Sequence, residues 1–363
     1  MLKTTEFNKD ILTHLLTPAG PLPTIQDPDG VYPYQSYVET SNRPVIKTYQ
    51  FVSLENNHLK VEICPDLGGK VYSIIHKKSG KEVLYVPQVI KHTRILPRFY
   101  FVAGGIEVSF PISHTPSQNE KVHYQLDNAK DRIYVSVGET ELRFGMQWTV
   151  EFSLGANDEF LTQRCLFVNP TIKPHEWMSW SNAAVPANGD TQLYFPKGNV
   201  LLHEDELKTI QWENDGPNTN ADIKKMSGYF WKKPECNAFG IFNPSEGIGL
   251  YHIADPRKAP GMKLWSYGSD RDEKWSLLSC MEKQSYLEIQ GGPIADQSIK
   301  HTLQPGSTNM HTEYWIPTDK PFDINSIKLP NQILRPKNYI PRFGWPEEQG
   351  VDVWQKLIDA CSK

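Results

Sequence analysis

The sequence predicts an all-β protein, a large sandwich of two antiparallel sheets with a short helix at each end. Three observations carry this. From about Val45 to Trp315, apolar and polar residues alternate over short runs, as in Leu59, Val61 and Ile63, or Met146, Trp148, Val150, Phe152 and Leu154; a period of two is the strand period. The 363 residues include 28 prolines, where an average chain of this length holds about 18, and proline is excluded from helix interiors and central strands. No amphipathic helical runs are interleaved with the strands, which argues against a βαβ parallel sheet, and no repeat at a period of about 20–50 residues points to a propeller or solenoid.

The elements follow in order. Phe7, Ile11, His14 and Leu15 recur at helical spacing until Pro18, predicting an N-terminal helix, and the Pro/Gly-rich stretch TPAGPLPTIQDPDGVYP then reads as an extended arm over the body. Residues 1–45 form this N-terminal part, 46–320 the β-sandwich, and 321–363 a C-terminal tail. In the tail, Pro346 opens a second helix with Val351, Trp354, Leu357, Ile358 and Cys361 on one stripe. Within the sandwich, RIYVSVGET, GIGLYHIAD and SYLEIQ alternate, and CPDLGG, LGANDE and PANGD mark turns. Residues 200–228 read as a long polar loop.

Composition excludes several functions. With 38 Lys+Arg against 42 Asp+Glu and no basic cluster, the chain lacks the positive face that nucleic-acid binding needs. Charges at Lys3, Glu6, Lys9 and Asp10 interrupt any secretory leader, and no window reaches the roughly 18 apolar residues of a membrane span. A cytoplasmic protein with no membrane partner is expected. The 5 cysteines (Cys64, Cys165, Cys236, Cys280, Cys361) are scattered without a CxxC pair, so neither a thiolate zinc site nor a disulfide framework is expected. No cofactor or metal is expected; an oxygen-ligated loop calcium is the exception the sequence leaves open. Oligomeric state leaves no mark.

Alternation also sorts residues by face. In SYLEIQGG, Leu287 and Ile289 point one way while Tyr286, Glu288 and Gln290 point the other. In AGGIEVSF, Glu107 and Ser109 oppose Ile106 and Val108. Trp265 and Tyr267 are co-facial, as are Met178, Trp180, Asn182 and Ala184, and Leu250 with His252. One face thus carries acids, amides and aromatics, the lining a saccharide site needs: rings stack on the apolar side of a pyranose, and carboxylates and amides bind hydroxyls. The candidates are Glu288, Glu107, His252 and His114 for catalysis, with Trp180, Asn182, Trp265, Tyr267, Gln290 and Arg98 for substrate binding.

At these residues the sequence resembles the galactose mutarotase-like (aldose 1-epimerase) superfamily. The resemblance rests on NHLKVEICPDLGGKVYSIIHKKSGKEVLY, on WTVEFSL followed by FLTQRCLFVNPTIKPHEWMSWSNAAVP, on AFGIFNPSEGIGLYHIADPRKAPGMKLWSYGSD and on YLEIQGGPIADQ, across about residues 46–320. It implies a β-supersandwich with a saccharide cleft, and Glu288 as the general base, with Gln290 on the same face. Where mutarotases carry a catalytic histidine in an Asn-His-Ser-Tyr-like segment, this chain reads SWSNAAVP, with Trp180 and Asn182. Three functions therefore stand side by side. An epimerase would use Glu288 as base and His114 or His252 as acid. A glycoside hydrolase or lyase would use Glu107 and Glu288. A binding module would rest on Trp180, Trp265 and Tyr267. A small-molecule saccharide is the expected partner in all three.

Overall fold

The computed structural model describes residues 1–23, 32–94, 100–112, 114–269, 285–296 and 299–344. Among them the strands gather into one sheet of 13 and one of 8, beside short two-stranded ribbons. Through its middle the larger sheet runs in the order Ser227–Trp231, Gly261–Ser266, Tyr286–Gly292, Ser181–Pro186, Ile106–Val108, Lys70–His76 and Leu59–Cys64. The smaller sheet is centred on Gln147–Gly155, Leu161–Val168, Thr308–Thr318 and Ile248–Ala254. These pairings are antiparallel, as the alternating runs predict.

One apolar layer joins the sheets. The larger contributes Val61, Val71, Ile106, Ala183, Leu264, Leu287 and Ile289; the smaller contributes Val135, Trp148, Val150, Phe152, Phe167, Leu250 and Trp315, all buried in the same cluster. Each large aliphatic or aromatic side chain so buried stabilises the fold by about 1.5–3 kcal/mol, which fixes register because a one-residue slip would turn the whole set outward.

The N-terminal helix is not formed. Lys3–Thr13 is a strand that pairs residue for residue with Val45–Glu55. Phe7 stacks on its register partner Phe51 with ring centroids 5.6 Å apart, and Lys9 ion-pairs with Glu62 at 2.6 Å. Phe7 and Ile11 are co-facial at strand spacing too, and a long ladder with a ready partner outweighs weak local helical spacing. The arm is partly a hairpin, Leu16–Gly20 against Ser36–Thr40. Just before its second strand, Tyr34 is buried: its hydroxyl donates to Glu139 Oε1 at 3.0 Å and accepts from the Leu142 amide at 2.9 Å. Burial pushes the Glu139 carboxyl up to about 7, against the bonds from Tyr34 and Trp148. Residues 200–228 are not one loop either: Asn199–His203 and Leu207–Gln211 make a hairpin at the sheet edge, followed by a helical turn at Trp212–Asp215. The C-terminal stripe from Val351 to Cys361 lies outside the described residues.

Candidate functional site

Four adjacent strands of the larger sheet build the site. Glu107 stands opposite Asn182, Asn182 opposite Gln290, and Gln290 opposite Lys263. One pleat along, Ala184, Glu288 and Trp265 are aligned in the same way. Residues in register share a face, so these two rows form a polar floor whose reverse side, Ile106, Ala183, Ile289 and Leu264, is core. Alternation assigned Glu107, Asn182, Glu288, Gln290 and Trp265 to one side, and the register brings them together.

Glycine makes the approach to Glu107 possible. Gly104 and Gly105 have φ of +88° and +71°, and a Cβ at Gly105 would lie 2.2 Å from the Val71 carbonyl oxygen. Both the left-handed backbone and the contact exclude a side chain there.

Glu107 is buried and both its oxygens are engaged: Oε2 with His114 Nδ1 at 2.9 Å, Oε1 with the Thr115 amide at 2.9 Å. Burial pushes its carboxyl up, but the charge and hydrogen bond of His114, with help from Lys70 and the Thr115 N–H, hold it below the usual carboxylate range. Glu288 goes the other way. Burial raises its carboxyl and Glu107 adds to the rise, against His114, Lys263 and the Gln290 amide, which donates to Glu288 Oε2 at 2.8 Å. Two carboxyls on one floor are thus driven apart, the arrangement that separates proton donor from acceptor. Among the described residues, Asn182 Oδ1 is buried and accepts no hydrogen bond, which leaves an acceptor for a hydroxyl donor.

Aromatic rings flank the floor. Tyr85 stacks on Tyr286 at 4.9 Å, Trp265 lies 6.2 Å from Tyr286 and 6.5 Å from Tyr267, and Phe101 tilts against His114 at 5.4 Å. Trp265 and Tyr267 are half-buried, and the His114 side chain keeps 21% of its surface in solvent. Tyr85, Lys70 and Lys263 were not singled out from the sequence. Lys263 shares the strand and the face of Trp265, so the same alternation carries the signal for it.

Two candidates stand elsewhere. His252 points into the layer between the sheets, 1% exposed at its side chain, with Nε2 on Glu313 Oε2 at 2.9 Å. Its co-facial neighbour Leu250 is core, and that fixes the direction. Trp180 is buried at 2% in the main apolar cluster, edge-on to Phe230 at 5.9 Å, and supports the sheet instead of forming an open stacking wall. Arg98 lies outside the described residues.

Glu313 is the centre of a polar group sealed in the core. It accepts from His252, from His311 Nε2 at 3.0 Å, from Ser181 Oγ at 2.8 Å and from Gln163 Nε2 at 3.4 Å. Burial pushes its carboxyl up, but the two histidines hold it well below the usual range. Cys165, His311 and Glu313 offer ligand atoms within 4.8 Å of one another. The Gln163 amide nitrogen lies beside them, 3.6 Å from Cys165 Sγ and 2.7 Å from Ser181 Oγ, while Trp315 Nε1 donates to Gln163 Oε1 at 3.1 Å and fixes the amide's direction. These residues form a hydrogen-bonded polar group within the core.

Solved structures place the fold. A TPR-domain containing protein from Parabacteroides distasonis is 59% identical with a TM-score of 0.93, over 99% of this chain and 62% of its own. The chain therefore spans less than two thirds of that relative's length. A galactose mutarotase-like protein from Clostridium acetobutylicum matches at 14% identity and TM-score 0.53, over 74% of this chain and 95% of its own. A galactose mutarotase related enzyme from Lactobacillus acidophilus matches at 14% identity and TM-score 0.52, over 77% of this chain and 100% of its own. At such identities the likeness is one of fold, and the fold is the mutarotase-like β-sandwich. Among the described residues no helix is long and apolar enough to cross a membrane. Residues 26–318 match the family described as "Domain of unknown function (DUF5107)", and the chain belongs to that family.

Proposed function

We propose that this chain is a proton-shuttling sugar enzyme of the aldose 1-epimerase type, with Glu288 as general base and His114, oriented by Glu107, as general acid. The observation that carries the reading is the pairing of a Glu107–His114 dyad with a second carboxyl, Glu288, on one strand-built floor, the two carboxyls driven in opposite directions. Glu288 removes the proton from the anomeric O1 hydroxyl as the ring C1–O5 bond breaks, and His114 delivers a proton to the ring oxygen. The open aldehyde then rotates and the steps reverse on its other face, returning both protons. A raised carboxyl is the stronger base near neutral pH. Anionic Glu107 holds the histidine proton on Nδ1 and orients the ring. Asn182 and Gln290 meet hydroxyls, and Trp265 and Tyr267 offer faces to the apolar side of the ring.

The test is anomer exchange followed by NMR over a panel of free aldoses. Glu288→Gln is expected to slow exchange by about 10²–10⁴-fold with the fold intact; unchanged exchange would remove the base assignment. The opposed carboxyls also favour a second reading, glycoside cleavage by Glu107 and Glu288. The hydrogen bonds on both Glu107 oxygens speak against it, since they hold the group as an anion, which has no proton to donate, and weaken it as a nucleophile. Loss of hydrolysis in Glu107→Gln, in a protein that never exchanges anomers, would reverse that preference.

A further inference from the structure

We propose that Lys70 is a positioning residue of this site: its buried ammonium, seated on the Val102 carbonyl beside Glu107, keeps Glu107 an anion and so keeps the shared proton on His114. The inference rests on the reading of His114 as acid, and extends it to a strand that reading does not use.

Register puts the lysine there. Val71 pairs with Ile106 in antiparallel sense, so one step along each strand Lys70 and Glu107 fall abreast. The polar row therefore begins with Lys70, continues through Glu107, Asn182 and Gln290, and ends at Lys263. Lys70 is only 5% exposed, and its Nζ donates to the Val102 carbonyl at 2.8 Å. The turn before Glu107 makes room for it, because a Cβ on Gly105 would come within 3.2 Å of Lys70 Cε. A buried ammonium needs a counter-charge. The titratable groups facing it are Glu107, Glu288 and Cys64. Burial pushes the Cys64 thiol far up, so it stays neutral, and of the other two Glu107 is the one held as an anion. Burial brings Lys70 itself down to about 8, with Glu107 and then Glu288 resisting, which leaves it cationic at neutral pH. Glu107 and Lys70 thus neutralise each other in the sheet, and Glu107 keeps its lone pairs for the His114 N–H and the Thr115 amide.

The experiment is a carboxyl-carbon NMR titration of Glu107 in the full chain, read beside the pH dependence of anomer exchange, for wild type, Lys70→Met and Lys70→Gln. Removing the cation is expected to raise the Glu107 midpoint by about one unit or more and to move the acid limb of the rate profile upward with it. In a Glu107→Gln background, Lys70→Met is expected to leave the rate profile where Glu107→Gln alone put it, since the lysine acts through that carboxylate. An unmoved Glu107 midpoint in folded Lys70 variants overturns the proposal, and so does a rate shift that persists without Glu107. Failure of both variants to fold, checked by circular dichroism, would make Lys70 a structural lysine and overturn it equally. If wild type exchanges no anomers, the epimerase reading fails, while the Glu107 titration still decides whether Lys70 sets its charge.

Discussion

Two carboxylate–histidine pairs lie on opposite sides of one sheet, and at 2.9 Å their hydrogen bonds are equal. Glu107–His114 belongs to the outward floor, Glu313–His252 to the sealed interior. What separates them is access to solvent. Glu313 receives His252, His311, Ser181 and Gln163 and faces no solvent. Glu107 shares its floor with an opposed carboxyl and an unfilled amide acceptor, and its histidine reaches solvent. A histidine on an acid is therefore not a site by itself; an environment open to a ligand is what distinguishes one.

The sharpest way to break this comparison is to delete each carboxylate. Glu313→Ala leaves two buried imidazoles, a hydroxyl and an amide without their common acceptor, and is expected to cost about 3–5 kcal/mol of stability by denaturant unfolding. An equal loss in Glu107→Ala would erase the distinction between the pairs. Next come the histidines. His114→Ala is expected to slow anomer exchange about a hundredfold or more while the unfolding midpoint barely moves. His252→Ala is expected to cost about 1–3 kcal/mol of stability and leave the pH profile of exchange unshifted. Crossed outcomes, with His252 governing the profile, would put the chemistry inside the sandwich.

The smallest effect concerns a half-buried acid with no imidazole at all. Glu139, under Tyr34, titrates at about 7 in the folded protein and at about 4.3 when unfolded. Its folded value is raised, so the native state holds the proton more tightly. The stability it contributes is complete at low pH and falls as pH climbs from about 4.3 toward 7. Glu139→Gln is expected to flatten that decline across the window, measured by urea unfolding at several pH values. A slope identical to wild type would mean that burial does not set this carboxyl.

Much of the floor is legible in the sequence because a period of two is a local property. Leu287 and Ile289 against Glu288 and Gln290, or Ile106 against Glu107, needs only three or four residues to read, and the register agrees. The limits are equally physical. Alternation separates two faces but does not say which face of which sheet looks inward. The same rule that paired His252 with Leu250 thus left its direction open. Lys3–Thr13 reads as a helix in the sequence because a strand draws most of its stability from a partner far along the chain, here Val45–Glu55, while helical spacing is visible locally. Lys70 follows a Gly-Gly turn and looks like any surface lysine until Ile106–Val108 is laid beside it. The Gln163 amide among Cys165, Ser181 and Glu313 spans segments that only the packed sandwich unites.

The strand Ser181–Pro186 has a consequence for how this family can vary. Ser181 serves the interior carboxylate, and the very next residue, Asn182, serves the floor. Two unrelated tasks are written into alternate letters of one short word. Point substitutions can edit either task alone, so ligand preference is free to drift while the core stays fixed. An insertion or deletion of a single codon would exchange the two, sending an amide inward and a hydroxyl outward. Variation in length is therefore expected in the connecting loops, with this strand constant in length across its relatives.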